Sequence, residues 1–244
     1  MLRVFIGVDH RQLISFNVLQ QSIWRNSSVP VAITPLVINK DNPPHFSKNS
    51  ITTDQLPIQN QGLTPFTFSR FMVPWLCNYQ GWALFLDSDM LVLGDVAELF
   101  KLTTPEYSVM VVKHPKHEFE WASMMLFNCE KCKVLTPEYV DKLKTTKLIW
   151  AAPEEVGALP SEWNHLVGYD KPRDNPKLIH YTQGNPCFPE TDDCEHADIW
   201  VDEFKLMISA APWLELMGTS VHAARDVQKD GSIKIVPKYK LEGL

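Results

Sequence analysis

The chain has 244 residues, 45% of them hydrophobic and including eight Trp and twelve Phe, which supplies one large core and excludes a wholly disordered chain. Its formal net charge of −6 disfavours bulk nucleic acid as a partner, because polyanions are gripped by a basic field. No apolar run reaches the ~18 residues of a membrane span, and Arg3 to Val8 reads as a core strand and not as a signal sequence, so a cytoplasmic location is expected.

Val4 to Val8 is a short β-branched and aromatic run that delivers Asp9 and His10 at its carboxyl end. Leu13, Phe16, Leu19 and Ile23 then recur at helical spacing, and Asn26-Ser-Ser28 closes that helix. Val31 to Ile38 is again strand-like, with Pro35 predicting an edge position. Residues 39 to 65 are polar and proline-rich, a length that suits a loop folded over a site. Ser69 is expected to cap a helix through Phe71, Met72, Leu76 and Tyr79, with Pro74 kinking it or sitting in its first turn.

Trp82 to Leu86 is the clearest buried strand; it runs straight into Asp87-Ser88-Asp89, and Met90 to Leu93 continues apolar. Asp95 to Phe100 predicts a short helix, Tyr107 to Val112 and Ser123 to Phe127 two strands, and Thr136 the start of a helix to about Lys144. Trp163 to Leu166 and Leu178 to Tyr181 are compact apolar-polar units; beyond Lys205 a last helical stretch and a hairpin turned at Lys229-Asp-Gly finish the chain. The alternation predicts an α/β sandwich with a mainly parallel central sheet, one domain over residues 1–205, and a C-terminal helix and basic hairpin over 206–244 packed on that domain. Cys77, Cys129, Cys132, Cys187 and Cys194 form no dense framework and read as reduced thiols; Cys129-Glu-Lys-Cys132 lacks the second pair of a zinc site.

Asp87 and Asp89 stand at the carboxyl end of a hydrophobic strand, where ligand crevices of open α/β sheets lie. Two carboxylates this close repel, and burying them uncompensated costs several kcal/mol, so a cation between them is the natural resolution. Hard oxygen ligands suit Mg²⁺ or Mn²⁺, which can bridge the phosphates of a nucleotide diphosphate and stabilise charge on it as a sugar departs.

Phe5-Ile-Gly-Val-Asp9, Ser69-Arg-Phe-Met-Val-Pro-Trp-Leu76, Leu86-Asp-Ser-Asp-Met90 and Leu178-Ile-His-Tyr-Thr-Gln-Gly184 together resemble the successive landmarks of GT-A glycosyltransferases related to family 8. The resemblance implies a Rossmann-like GT-A fold and sugar transfer from a nucleotide sugar, UDP-sugar by default, to an acceptor hydroxyl with retention. It implies Mn²⁺ (or Mg²⁺) on Asp87, Asp89 and His180, with Val8 and Asp9 near the nucleoside and Arg70 reaching the donor. Ser88, between the aspartates, and Gly184, in the His180 motif, complete the expected donor set. The family pattern H-x-x-G-x-K-P-W puts a Lys on the diphosphate. This chain reads His180-Tyr-Thr-Gln-Gly184-Asn-Pro186-Cys-Phe188 instead, so Arg70, Lys113 or a tail Lys (Lys229, Lys234, Lys238, Lys240) would neutralise the phosphates, or the donor sits differently. Trp121 occupies the place of the family's F-N-x-G strand, close to the sugar, and Glu154-Glu155 falls where an acceptor-side residue is expected; these three make the candidate catalytic set.

Trp163 and Asn164 read as core and cap, with an aromatic face stacking on a sugar as the alternative, and His114 as a liner of the same crevice or a histidine satisfied by hydrogen bonds. Pro189 to Asp198, with Glu190, Asp192, Asp193, Glu195, His196 and Asp198, is a second candidate cation site. Two other functions compete. Phe85-Leu-Asp-Ser-Asp-Met-Leu91 resembles the nucleophile motif of haloacid-dehalogenase-type phosphatases, though Leu91 lacks that motif's hydroxyl, and a non-catalytic nucleotide-sugar-binding module would need the same acidic pair. The acceptor is a glycan, a lipid-linked saccharide, a protein or a modified base, among which no residue chooses.

Overall fold

β1 (Leu2–Val8) and β4 (Trp82–Asp87) lie side by side and parallel, with Gly7 beside Asp87, so the carboxyl ends of two hydrophobic strands coincide. The computed structural model describes residues 1–9, 12–37, 51–52, 58, 60, 62, 64, 66–208, 223–227 and 233–237. Around the β1–β4 pair the main sheet runs β3-β2-β1-β4-β7-β6-β8, with β2 spanning Val31–Val37, β3 Ile51–Thr52, β6 Val109–Val111, β7 Met124–Asn128 and β8 Val156–Ala158. β7 is antiparallel to both of its neighbours and every other pairing is parallel, the mainly parallel sheet expected. β2 is covered by β3 only at Leu36 and Val37, beyond Pro35, so the proline's missing donor falls where β2 is still an edge.

Side chains alternate across the strands and build one core on each face. Phe5, Phe85, Met125 and Phe127 point to the face shared with Phe71, Met72 and Trp150. Val4, Ile6, Leu84 and Leu86 point to the other, where α1 (Leu13–Asn26) lays down Phe16, Leu19 and Ile23. Gly7 is required on the first face, because a Cβ there would come within 2.5 Å of the Phe66 ring.

A second sheet, β5-β10-β9, grows out of the acidic turn. β5 (Met90–Val92) leaves Asp89 directly; β10 (Leu178–His180) returns antiparallel to it, and β9 (His165–Leu166) joins parallel on the far side. The register puts His180 opposite Met90 and so beside Asp89. Sequence positions ninety residues apart therefore meet through one antiparallel pairing.

Several local expectations are revised. Ser69–Met72 is a 3₁₀ turn, followed by α2 (Val73–Leu76) with Pro74 in its first turn; Ser69 lies inside the 3₁₀ turn and not at a cap, and its buried hydroxyl makes no hydrogen bond among the described residues. Between β5 and β6 the predicted helix forms as α3 (Ala97–Lys101). α4 (Pro137–Val140) is capped by Thr136 Oγ1, which accepts from Tyr139 N, but stops short of Lys144; past its end the chain tightens into i to i+3 turns, and Asn60 Nδ2 donates to the Val140 and Leu143 carbonyls. α5 (Ala197–Met207) forms where the acidic segment hid a helical pattern, burying Trp200 and Glu203, the latter paired with Arg25 at 2.5 Å. The five cysteines are free thiols; Cys132 Sγ donates to the carbonyls of Ser108 and Asn128, which uses it in packing and not in a metal site.

The chain divides into two compact units, Met1–Glu203 and Phe204–Leu244. Within the second, β11 (Ala223–Val227) and β12 (Ile233–Pro237) pair antiparallel, as a hairpin requires. Most of the loop over 39–65, the stretch 209–222 and the turn at Lys229 lie outside the described residues.

Candidate active site

The turn Asp87-Ser88-Asp89 is pinned by backbone contacts on both sides. Asp87 ends β4 in the ladder with β1, and Tyr181 N donates to Asp89 O at 2.9 Å. His180 Nε2 thereby reaches 3.4 Å from Asp89 Oδ1, and one ligand atom from each of Asp87, Asp89 and His180 falls within 4.8 Å of the others. Asp87 Oδ1 and Asp89 Oδ1 are buried without a hydrogen-bond partner among the described residues. Two buried carboxylate oxygens that accept no hydrogen bond among the described residues, and an imidazole nitrogen close to them, are a donor set that fits a divalent cation such as Mn²⁺.

Charge balance at the site rests on Arg70, delivered by the 3₁₀ turn. Its guanidinium lies 3.2 Å from Asp87 Oδ1, donates to Ala122 O at 2.7 Å, and is held near the Phe66 and Phe85 rings, 5.4 and 5.1 Å from their centroids. Burial still wins at Asp87: it pushes that carboxyl up to about 7, with Asp89 and Glu120 adding to the effect and Arg70 and His180 opposing it. Burial would depress His180, but the carboxylates of Asp89, Glu120 and Asp87 outweigh it and raise the imidazole to about 9. Carboxylates outnumber cations here, so a divalent ion would relieve the imbalance.

Glu120 is the residue that sequence reasoning missed. It lies in the 3₁₀ turn Glu118–Ser123, its Oε2 is 3.6 Å from His180 Nδ1, and burial raises its carboxyl above the usual range. A carboxylate on the far nitrogen of a ligating His fixes ring orientation and raises its basicity. Its one sequence signal was adjacency to Trp121.

The other expected residues divide into two groups. Val8 and Asp9, both buried, follow Gly7 at the end of β1 beside Asp87, and buried Ser88 sits between the two aspartates. Gly184, at φ +129°, belongs to the turn after β10 and donates its N–H to Tyr181 O. Trp121 Nε1 donates to His114 O at 3.1 Å, and Lys113 Nζ stands 5.9 Å from the Trp121 ring centroid. Both line a cavity of about 520 Å³ with Lys147, Ile149 and Pro153. Glu154 and Glu155 are not brought to the acidic cluster. They precede Val156, which is in register with Val109, then Phe127, then Ala83 near the start of β4, so they stand at the opposite end of the sheet from Asp87. Glu155 instead pairs with Lys131 at 3.2 Å.

Of the cations considered for the diphosphate, Arg70 is at Asp87 and Lys113 at Trp121, while Lys229, Lys238 and Lys240 lie outside the described residues. Trp163 is core, 1% exposed, and Asn164 is buried and donates to Ser123 Oγ at 3.0 Å. His114 is buried, pushed below the usual histidine range by that burial, and faces Asp170 at 3.9 Å. From the acidic segment only Glu195 and His196 converge with a third ligand-type residue, His165.

A mainly parallel α/β sheet whose strand ends carry a D-x-D turn, completed by a His from a small adjoining sheet, defines a GT-A glycosyltransferase. The sequence profile of glycosyl transferase family 8 matches residues 13–136. Protein CDI of Arabidopsis thaliana is 35% identical over 232 residues, covering 83% of this chain and 86% of that protein. The chain thus belongs to glycosyl transferase family 8 and is a glycosyltransferase, which sets aside the phosphatase reading. Solved structures agree on the fold. The bifunctional glycosyltransferase WbbM in its apo form superposes with TM-score 0.65 at 17% identity, covering 88% of this chain and 50% of WbbM. The galactosyltransferase LgtC, in complex with donor and acceptor sugar analogs, gives 0.60 at 12% identity, covering 89% of this chain and 99% of LgtC. The chain spans half the length of WbbM. No helix among the described residues is long and apolar enough to cross a membrane.

Proposed function

We propose that the chain transfers a sugar from a UDP-sugar to an acceptor hydroxyl with retention of anomeric configuration, and that Asp87, Asp89 and His180 hold the Mn²⁺ this requires. The observation that carries the reading is the convergence within 4.8 Å of ligand atoms from Asp87, Asp89 and His180, with Asp87 Oδ1 and Asp89 Oδ1 buried and accepting no hydrogen bond among the described residues. A cation there supplies Lewis-acid neutralisation of the diphosphate as the glycosidic bond breaks. The protein's part is positioning. Arg70 orients Asp87 and partly offsets its burial, Glu120 faces the far nitrogen of His180, and Val8, Asp9 and Ser88 form the strand-end floor on which the nucleotide rests. Trp121 borders the sugar, and the cavity it lines with Lys113 takes the acceptor. UDP and retention are the donor and outcome that family membership supports.

The test is slow donor hydrolysis with Mn²⁺ across a set of nucleotide sugars, with the anomer of the released sugar read by NMR. The proposal expects UDP-sugar turnover with retention; binding without any turnover would leave the non-catalytic module, and inversion would remove the retaining half of the claim.

A further inference from the structure

One strand beyond His180, a second group of ligand-type side chains converges. His165 opens β9 and is fully buried; Glu195 and His196 immediately precede α5. His165 Nε2 and His196 Nε2 each lie 3.1 Å from Glu195 Oε1, and one ligand atom from each residue falls within 4.8 Å of the other two.

Hydrogen bonding among the protein groups does not account for this arrangement. Glu195 Oε1 already accepts from Arg173 N at 3.0 Å and meets His165 Nε2 in hydrogen-bond geometry, whereas His196 Nε2, equally near, has no such geometry and is buried without a hydrogen bond among the described residues. His165 Nδ1 is likewise buried without a hydrogen bond among the described residues, facing Asp170 Oδ2 at 3.8 Å. An imidazolium at His165 between Asp170 and Glu195 would satisfy that ring alone and leave His196 Nε2 unexplained. His196 also holds φ +62°, a left-handed conformation that a non-glycine residue keeps only where its surroundings impose it.

A cation bound by the three residues resolves each of these features. Two imidazole nitrogens and one carboxylate are a donor set suited to Zn²⁺, with a fourth position left for water. Asp170 then takes the place of the outer carboxylate that faces the far N–H of a ligating His, and it is itself fixed by accepting from Leu166 N at 2.9 Å.

We propose that His165, Glu195 and His196 form a second metal site, of zinc type and separate from the D-x-D turn, with Asp170 as the carboxylate behind His165. Its role is to tether the segment entering α5 to β9. That segment bears on the first site, because the Tyr181 hydroxyl donates to His196 O at 3.0 Å and Tyr181 directly follows His180. His165 also pairs with Ile179 in the β9–β10 ladder.

The test uses the full chain carrying Asp89→Ala, which disables the first site, after chelation and dialysis. Zn²⁺ is titrated against a chromophoric chelator, and Co²⁺ is added separately to read its tetrahedral visible absorption. The expectation is one equivalent bound and a cobalt spectrum with nitrogen-ligand character. His196→Asn, which tolerates the left-handed backbone, and Glu195→Gln weaken binding by about 100-fold, and Asp170→Asn by about tenfold. Circular dichroism checks that the variants fold. If the parent binds no Zn²⁺ at one equivalent, or if folded His196→Asn binds it as tightly as the parent, the proposal is overturned. Should the variants not fold, the parent titration and its cobalt spectrum decide alone.

Discussion

Replacing Asp87 by Asn removes a charge whose burial the apo fold resists, and the consequence is a specific dependence on pH. In the folded chain the Asp87 carboxyl stands at about 7 against an ordinary 3.8, and His180 at about 9 against 6.5. Both are raised, so the sign is the same for both: the folded state holds each proton more tightly than the unfolded chain does. The Asp87 contribution is complete below about 4 and lost as pH rises through about 7; the His180 contribution is complete below about 6.5 and lost through about 9. At about 1.4 kcal/mol per decade of pH per group, the metal-free protein loses on the order of 5 kcal/mol between pH 5.5 and 9.5 from these two sites. Urea denaturation of the chelated protein at pH 5.5, 7.5 and 9.5 measures it, and the difference between wild type and Asp87→Asn removes the background of all other groups. The variant should lack the fall through pH 7 and become the more stable of the two above pH 8. Saturating Mn²⁺ should restore stability to wild type and not to the variant. A wild-type curve that runs parallel to that of Asp87→Asn across the range would refute the assignment of the charge imbalance to this turn.

Other outcomes follow from single contacts. Glu120→Gln, which weakens the grip on His180 Nδ1, should lower Mn²⁺ affinity about 10–100-fold while leaving metal-free UDP binding unchanged, read by calorimetry with and without the metal. Arg25→Ala strands the Glu203 side chain, 1% exposed, and should cost about 2–4 kcal/mol in urea denaturation without altering donor hydrolysis; a loss below about 0.5 kcal/mol would mean that the pair carries no weight. Glu155→Gln breaks only the half-exposed contact to Lys131, so hydrolysis and transfer should stay within about twofold of wild type. A large fall there would return the acidic pair to the catalytic machinery.

What was legible in the sequence was whatever a local pattern encodes. Trp82 to Leu86 followed at once by Asp87-Ser-Asp89 marked both a buried strand and the acidic turn at its end, because five apolar residues must be covered on two faces and the acids must then emerge at a strand terminus. His180 and Arg70 came through family resemblance; neither carries a local signal that names its partner. Glu120 stayed hidden because a six-residue 3₁₀ turn has no periodicity, and its neighbour Glu118 looks the same but points to Lys147. The distance of Glu154 and Glu155 from Asp87 was not legible, because the end of the sheet they occupy depends on the β6–β8 register, a long-range pairing that no window of sequence contains. α5 was obscured for a related reason: the acidic segment ending at Asp198 masks the helix start, and the burial of Glu203 depends on Arg25, 178 positions away.

The central claim is that Asp87, Asp89 and His180 hold the cation that binds the donor's diphosphate. Calorimetric titration of UDP into the chelated full chain, with and without Mn²⁺, in wild type and Asp89→Ala tests it most directly. Wild type should bind UDP at least about 100-fold more tightly with Mn²⁺, and Asp89→Ala should bind it weakly and equally in both conditions. UDP affinity and Mn²⁺ dependence that survive Asp89→Ala intact would contradict the account.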